Sequence, residues 1–397
     1  MPHSFVLVIN SGSSSLKFAV IDSETGGTVI SGLGECFGLP DAVISWKHDG
    51  NKFEEKIGEP ENHHQYAINR IVGLVDECKL TENIVAVGHR IVHGGERFTH
   101  TVRINEDVLQ EIESLSDLAP LHNPAGAIGI RAAMSVFPAL PQFAVFDTAF
   151  HQSMPQKAFT EAISNELYRE YGIRRYGFHG TSHYFVSCEA AKMLNKPVDE
   201  SSFISVHLGN GASVCAISNG ASVDTSMGFT PLAGLMMGTR SGDLDPGIIE
   251  FLMKKGWNQE RVFETLNKKS GFLGVSGLTS DARGILDAMD EGHEGAKLAF
   301  DVFTYRVAKY IASYLVPLGH LDAIIFTGGI GENSLPIRRE ILKNLKLLGF
   351  VEDPKGNEAA RFGEAGIIAR SDMLGAIAMV VPTNEEFVIA QQSVALL

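Results

Sequence analysis

Cysteine is scarce and unpaired in this chain. Cys36, Cys78, Cys188 and Cys215 are scattered over 397 residues with no Cys-x-x-Cys spacing, which excludes a disulfide framework and leaves four reduced, mostly buried thiols as the plain expectation. No apolar run approaches the ~20 residues of a membrane-spanning helix. The start, Met1-Pro2-His3-Ser4-Phe5, has no basic segment, and the apolar run behind it is too short for a signal peptide, so a cytoplasmic protein away from membranes is expected. Positive charge is also short: 33 Lys and Arg stand against 47 Asp and Glu, a formal net charge of −14. That balance argues against a nucleic-acid partner, and any anionic ligand must be drawn by local cations against the global field. The Gly-x-x-x-x-Gly-Lys-Ser/Thr phosphate loop is absent, as is any low-complexity segment. What remains is an ordinary globular composition, 44% hydrophobic and 20% charged. Its length is generous for one core, so two domains are expected.

Glycine is the residue that is plentiful where it counts. The run Val6–Ile9 stops at Asn10, a turn Ser11-Gly12-Ser13-Ser14-Ser15 follows, and a second apolar run leaves it carrying Lys17. This reads as a β-hairpin whose tip gathers backbone N–H groups, hydroxyls and one ammonium, a setting that suits phosphate. Phe203 to Gly220 repeats the shape, with Gly209 lying 197 positions after Gly12. A half-chain repeat implies two similar domains, each offering a hairpin loop to a shared cleft. A third cluster, Thr327-Gly328-Gly329-Ile330-Gly331-Glu332-Asn333, follows the apolar run Ala323–Phe326. It reads as a strand end where a backbone can approach a flat ligand.

Between these landmarks the pattern predicts strands near 5–10 and 16–22, a helix near 63–78 after the loop Gly58 to Asn62, and a strand Ile84 to Val87 delivering the turn His-Arg-Ile-Val-His-Gly-Gly. Asn123-Pro124 reads as N-cap and first-turn proline of a helix. A strand Gln142 to Phe146 ends at Asp147, and the domain change is expected near 148–152. A helix 181–195 capped by Thr181, a helix 246–255 capped by Asp245, a long helix about 294–316, and a last strand Ala376 to Val381 leading into a C-terminal helix complete the expectation.

Several residues stand out chemically. Arg90 and Arg240 are read in glycine-bordered turns, where a guanidinium fork suits a carboxylate or phosphoryl oxygen; a surface ion pair is the ordinary alternative. Asp147 at a strand end is placed as α/β folds place catalytic groups, with a turn aspartate as the alternative. His179 and His183 have zinc-pair spacing but no third ligand motif, so a zinc site is rejected. For His89, His93, His122 and His207 a structural role and a supporting role at the site are both open. The Asp243, Asp245, Gly247 pattern breaks calcium-loop spacing.

The segments Asn10–Lys17, Gly88–Gly95, Phe146–His151, Tyr176–His183, His207–Gly211, Met237–Gly247 and Pro382–Glu386 run nearly the length of the chain. In this order they closely resemble the acetate kinases, of the superfamily that includes sugar kinases, actin and the heat-shock chaperone ATPase. The resemblance implies an α/β fold of two duplicated ribonuclease-H-like domains with a nucleotide-binding cleft between them. The first domain would cover 1–150 and be joined by the C-terminal helix, about 383–397; the second would cover 151–382. It further implies reversible, direct in-line transfer of the ATP γ-phosphoryl group to acetate, with ADP and acetyl phosphate as products, and a homodimer. Arg90, Asp147, His179 and Arg240 would be catalytic; Arg90, Val92, Leu121, Phe178 and Pro231 would hold the acid. ATP would meet Lys17, His207, Leu208, Gly209, Asn210, Gly211, Asp281, Ala282, Arg283, Gly329, Ile330, Gly331, Glu332 and Asn333. Asn10 and Glu385 would serve Mg²⁺, with Mn²⁺ as a substitute. A propionate or butyrate kinase on the same scaffold is the near rival. A non-catalytic nucleotide switch is the distant one, and the cations Arg90 and Arg240 with His179 speak against it.

Overall fold

The computed structural model describes residues 4–58, 63–120 and 122–397. The chain divides into two compact units, Met1–Ala149 with Asn384–Leu397, and Phe150–Thr383. Among the described residues no helix is long and apolar enough to cross a membrane.

The first unit is built on an eight-stranded sheet ordered β5-β4-β3-β2-β1-β6-β8-β7. Its strands are β1 Phe5–Gly12, β2 Ser15–Asp22, β3 Thr28–Glu35, β4 Val43–His48, β5 Asn51–Lys56, β6 Ile84–Ile91, β7 Val102–Arg103 and β8 Gln142–Phe146. The apolar run Val6–Ile9 makes β1 a central strand, because it is buried on both faces. One face packs against the helix His63–Glu77, whose Ala67, Ile68, Ile71, Leu74 and Val75 recur at helical spacing. The other receives Ile389 and Ala390 of the helix Glu385–Val394. A Cβ on Gly88 of β6 would lie 2.5 Å from Ile389 Cγ2, so only glycine lets that helix sit so close.

The second unit carries a seven-stranded sheet, β11-β10-β9-β12-β15-β14-β13, formed by β9 Ser202–Leu208, β10 Ala212–Ser218, β11 Ala221–Thr225, β12 Ala323–Thr327, β13 Phe350–Glu352, β14 Gly366–Ser371 and β15 Ala376–Val380. The core repeats that of the first unit. β3-β2-β1 run antiparallel and β1-β6-β8 parallel; β11-β10-β9 and β9-β12-β15 do the same. The half-chain glycine repeat thus marks a repeat of whole sheets.

Local expectations needed four corrections. Arg90 lies inside β6, not in the turn after it, because pairing with β8 extends the strand to Ile91. Asn123 is the first residue of the helix Asn123–Val136 and does not cap it; its amide instead accepts from His93 N (3.2 Å) and donates to His93 O (2.9 Å). The helix Gly180–Met193 begins before Thr181, with His179 at the cap position in a left-handed conformation, φ 57°. The helix Gly247–Lys254 starts one residue late, yet Asp245 still accepts from Gly247 N at 2.8 Å. The loop Gly58 to Asn62 lies outside the described residues except for Gly58 at its start.

Candidate active site

In the first unit, the hairpin connecting β1 and β2 is a two-residue turn, Ser13-Ser14, closed by the Gly12–Ser15 pair. His64 from the following helix donates through Nε2 to the Gly12 carbonyl at 2.8 Å and anchors the tip. Asn10 and Lys17 are cross-strand partners on this hairpin. Lys17 forms an ion pair with Glu386 in the first turn of the C-terminal helix, while Asn384 caps that helix by accepting from Phe387 N at 3.0 Å. Burial raises the Glu386 carboxyl, but Lys17, the Glu386 backbone N–H and Arg90 together outweigh it and the net shift is downward.

Arg90 and Asp147 face each other across the parallel strands β6 and β8. The guanidinium donates from Nε to Oδ1 at 2.9 Å and from Nη2 to Oδ2 at 2.5 Å, a two-point fork on a carboxylate that is only 1% exposed. Burial pushes the Asp147 carboxyl up to about 6, Arg90 opposes the rise, and Glu385 adds to it. Burial works against the Arg90 charge, yet the neighbouring Asp147, Glu385 and Glu386 together hold it more firmly protonated. Val92 is half-buried in the turn after β6 and stands apart from the core that takes Ile91; Asn123 pins that turn through His93. Leu121 lies outside the described residues.

The second unit brings its polar residues to the ends of β9 and β12. The loop Gly209-Asn210-Gly211 joins β9 to β10. A Cβ on Gly211 would lie 3.4 Å from His179 Nε2 and 3.6 Å from Arg240 Nη1, so imidazole and guanidinium converge over this glycine. Arg240 is held by a bond from Nη1 to the Pro231 carbonyl at 3.3 Å, and burial makes its charge less favourable. His179 and His207 stack with ring centroids 4.3 Å apart. Phe178 is buried, and its carbonyl accepts from His151 Nε2 at 2.9 Å.

Beside this loop a cavity of about 510 Å³ is lined by Gly209, Asn210, Asp281, Ala282, Arg283, Leu286, Gly329, Ile330, Asn333, Ser334, Pro336 and Phe362. Asp281 also caps the helix Ala282–Asp290 by accepting from Arg283 N at 3.1 Å, so its capping and lining roles coexist. Glu332 is different from its neighbours. Its Oε1 accepts from Gly328 N and Thr383 N, both at 3.0 Å, so the side chain clamps the start of its own helix, Gly328–Asn333, to the segment before the C-terminal helix. Leu208 and Gly331 are buried beneath the loop. Sequence reasoning missed Phe362, an exposed ring at the cavity wall with φ 58°, as well as Leu286 and Pro336, because nothing local marks an apolar residue as a wall.

Glu385 is close enough to act on the charges of Arg90 and Asp147, Asn10 pairs with Lys17 on the hairpin, and among the described residues no cluster of three His, Cys, Asp or Glu is poised to hold a metal. Asn10 and Glu385 carry oxygen donors of the kind taken by Mg²⁺, a hard cation that keeps most of its waters.

The family model of the Acetokinase family fits residues 5–391. Acetate kinase 2 of Vibrio cholerae is 82% identical over 397 residues, covering all of both chains. The crystal structure of Porphyromonas gingivalis acetate kinase is 42% identical with a TM-score of 0.93, covering 99% of each chain. That of a propionate kinase from Francisella tularensis is 43% identical with a TM-score of 0.93, covering 99% of this chain and 100% of that one. With full-length matches of this strength and the duplicated sheets in place, the chain belongs to the acetokinase family.

Proposed function

We propose that this protein is an acetate kinase, transferring the γ-phosphoryl group of ATP to acetate and running in reverse from acetyl phosphate and ADP. The observation that carries the reading is the convergence of His179 Nε2 and Arg240 Nη1 over Gly211, next to a cavity of nucleoside size. Phosphoryl transfer needs little covalent help from a protein; it needs positioning and neutralisation of charge on the transferring oxygens. Arg240 and His179 supply donors for those oxygens. Acetate is already anionic at neutral pH, so no general base is required to activate it. Asp147 therefore holds Arg90 by the two-point fork, and Arg90 Nη1 is left to steady the acceptor carboxylate. In-line attack by that carboxylate on the γ-phosphorus then breaks the bond to the bridging β–γ oxygen, and ADP leaves. Asn10 and Glu385 would hold Mg²⁺, which screens the phosphate charge when bound.

Phe178 and Pro231, with Val92 and Leu121, are assigned to the methyl group of the acid, and the remaining cavity residues with Lys17 to the nucleotide. Cytoplasmic location and a homodimer belong to the same reading. The likeness to a propionate kinase keeps that acid as the second candidate. A hydroxylamine-coupled assay with MgATP and acetate, propionate and butyrate in parallel tests the reading: acyl hydroxamate should form fastest with acetate. A faster reaction with propionate would replace the acceptor, and no hydroxamate from any acid would overturn the phosphotransferase.

A further inference from the structure

Behind His179 runs a chain of hydroxyls and imidazoles with a job that its surroundings define. His179 Nδ1 lies 2.9 Å from Ser213 Oγ, Ser213 Oγ lies 2.8 Å from His183 Nε2, and His183 Nδ1 lies 2.8 Å from Ser205 Oγ. Ser205, Ser213 and His183 are fully buried. We propose that Ser213 and His183, backed by Ser205, are positioning residues that fix His179 as the tautomer with its proton on Nε2, so that it donates to a phosphoryl oxygen while remaining neutral. The inference rests on the assignment of His179 to the phosphoryl group.

Ser213 Oγ carries one hydrogen and touches two ring nitrogens. Its hydrogen can serve only one of them, while its two lone pairs can accept from either, so the state of His179 Nδ1 is decided by what His179 Nε2 faces. If neutral His179 held its proton on Nδ1, its bare Nε2 lone pair would face the space over Gly211, where an anionic oxygen would be repelled. The opposite arrangement satisfies every link. Ser205 donates to His183 Nδ1, His183 Nε2–H donates to Ser213, Ser213 donates to His179 Nδ1, and His179 Nε2–H faces the ligand. Burial, with His151 and His207 nearby, keeps His183 neutral, as the chain requires. The stacked neighbour repeats the logic: Thr383 Oγ1 donates to Ser182 Oγ at 2.8 Å, and Ser182 Oγ lies 2.8 Å from His207 Nδ1. Two imidazoles stacked at 4.3 Å repel if both are charged, so a device that makes each a donor without protonation fits the pair.

The test joins spectroscopy to kinetics. In ¹⁵N-histidine-labelled enzyme at neutral pH, the His179 ring, assigned by difference against His179→Asn, should show a bare Nδ1 and a protonated Nε2. Ser213→Ala should mix the tautomers and lower kcat roughly 10–100-fold, the range of one hydrogen bond to a charged group, with KM for ATP and acetate within about twofold. Ser213→Thr, which keeps the hydroxyl, should recover most of kcat. Ser205→Ala, farther from the site, should lower kcat several-fold at unchanged KM and carries the test if Ser213→Ala is insoluble. Wild-type kcat with an unchanged tautomer in both alanine variants overturns the proposal while the phosphotransfer reading stands. Full activity in His179→Asn overturns the role of His179 itself.

Discussion

At the residue scale, the Arg90–Asp147 fork separates two kinds of arginine. Asp147 occupies Nε and Nη2 of Arg90, so this guanidinium arrives at the site already oriented. Arg240 is held by the Pro231 carbonyl and, among the described residues, forms no ion pair with a carboxylate, which suits the phosphoryl role proposed for it. Arg240→Ala should therefore lower kcat by roughly 10²–10³ with little change in the unfolding midpoint. Arg90→Ala should raise KM for acetate at least as much as it lowers kcat. Steady-state kinetics on both variants decide the matter, and near wild-type activity in either removes that arginine from the site. The fork also sets a pH limit. With Asp147 raised to about 6 by burial, it is ionised at neutral pH and takes a proton as the pH falls through that value. The fork then loses its anion, so kcat/KM should show an acid limb near pH 6; a profile flat down to pH 5 would mean that the Asp147 charge does not matter.

At the element scale, sequence patterns revealed the parts that sit at strand ends. Both hairpins, the strand ending at Asp147 and the end of β12 were legible because apolar runs stop abruptly at polar or glycine residues there, though the glycines after β12 open the helix Gly328–Asn333. Arg90 was misread as a turn residue because its neighbouring glycines suggested an early end to β6, whereas pairing with β8 continues through Ile91. Ser213 was invisible as anything but an alternating strand residue, since its ring partners lie 30 and 34 positions away. Asn123 looked like a cap because Asn-Pro usually is one; the contact with His93 that recruits it spans 30 positions. The turn after β6 now carries its own test. Val92 is half-buried there, and the proposed function assigns it to the methyl group of the acid. A branched side chain there fills the volume that an extra methylene would need, a difference worth roughly 1–3 kcal/mol or about 10–200-fold. Val92→Ala should raise the propionate-to-acetate ratio of kcat/KM within that range, chiefly by improving propionate. An unchanged ratio would take Val92 out of the pocket.

At the scale of the whole molecule, both units bury uncharged histidines, and this makes the protein sensitive to acid. His89 and His93 in the first unit and His151 in the second have pKa values pushed down to about 4 by burial, against an ordinary 6.5. Each has a buried hydrogen-bonding role: His89 donates to Gln142 at 2.7 Å, His93 accepts from Gly95 N at 3.0 Å, and His151 donates to the Phe178 carbonyl. Between pH 6.5 and about 4 the unfolded chain binds protons that these folded rings refuse. Stability must therefore fall as the pH drops through that window, by roughly 3 kcal/mol per histidine once both ends are passed. Asp147 works in the opposite direction, because its raised value lets the folded protein take up a proton between about 6 and 3.8. It offsets about one histidine of the three, and the net sign remains unfavourable in acid. His183, also held well below its ordinary value by burial, adds to the three, so urea unfolding followed from pH 7.5 to 4.5 should show the free energy falling as the pH falls, with a limiting slope steeper than two protons. His89→Gln preserves a hydrogen-bonding side chain but removes the titrating ring, so it should reduce that slope by about one proton even if it destabilises the protein at every pH. A slope that the substitution leaves unchanged would place the acid sensitivity elsewhere.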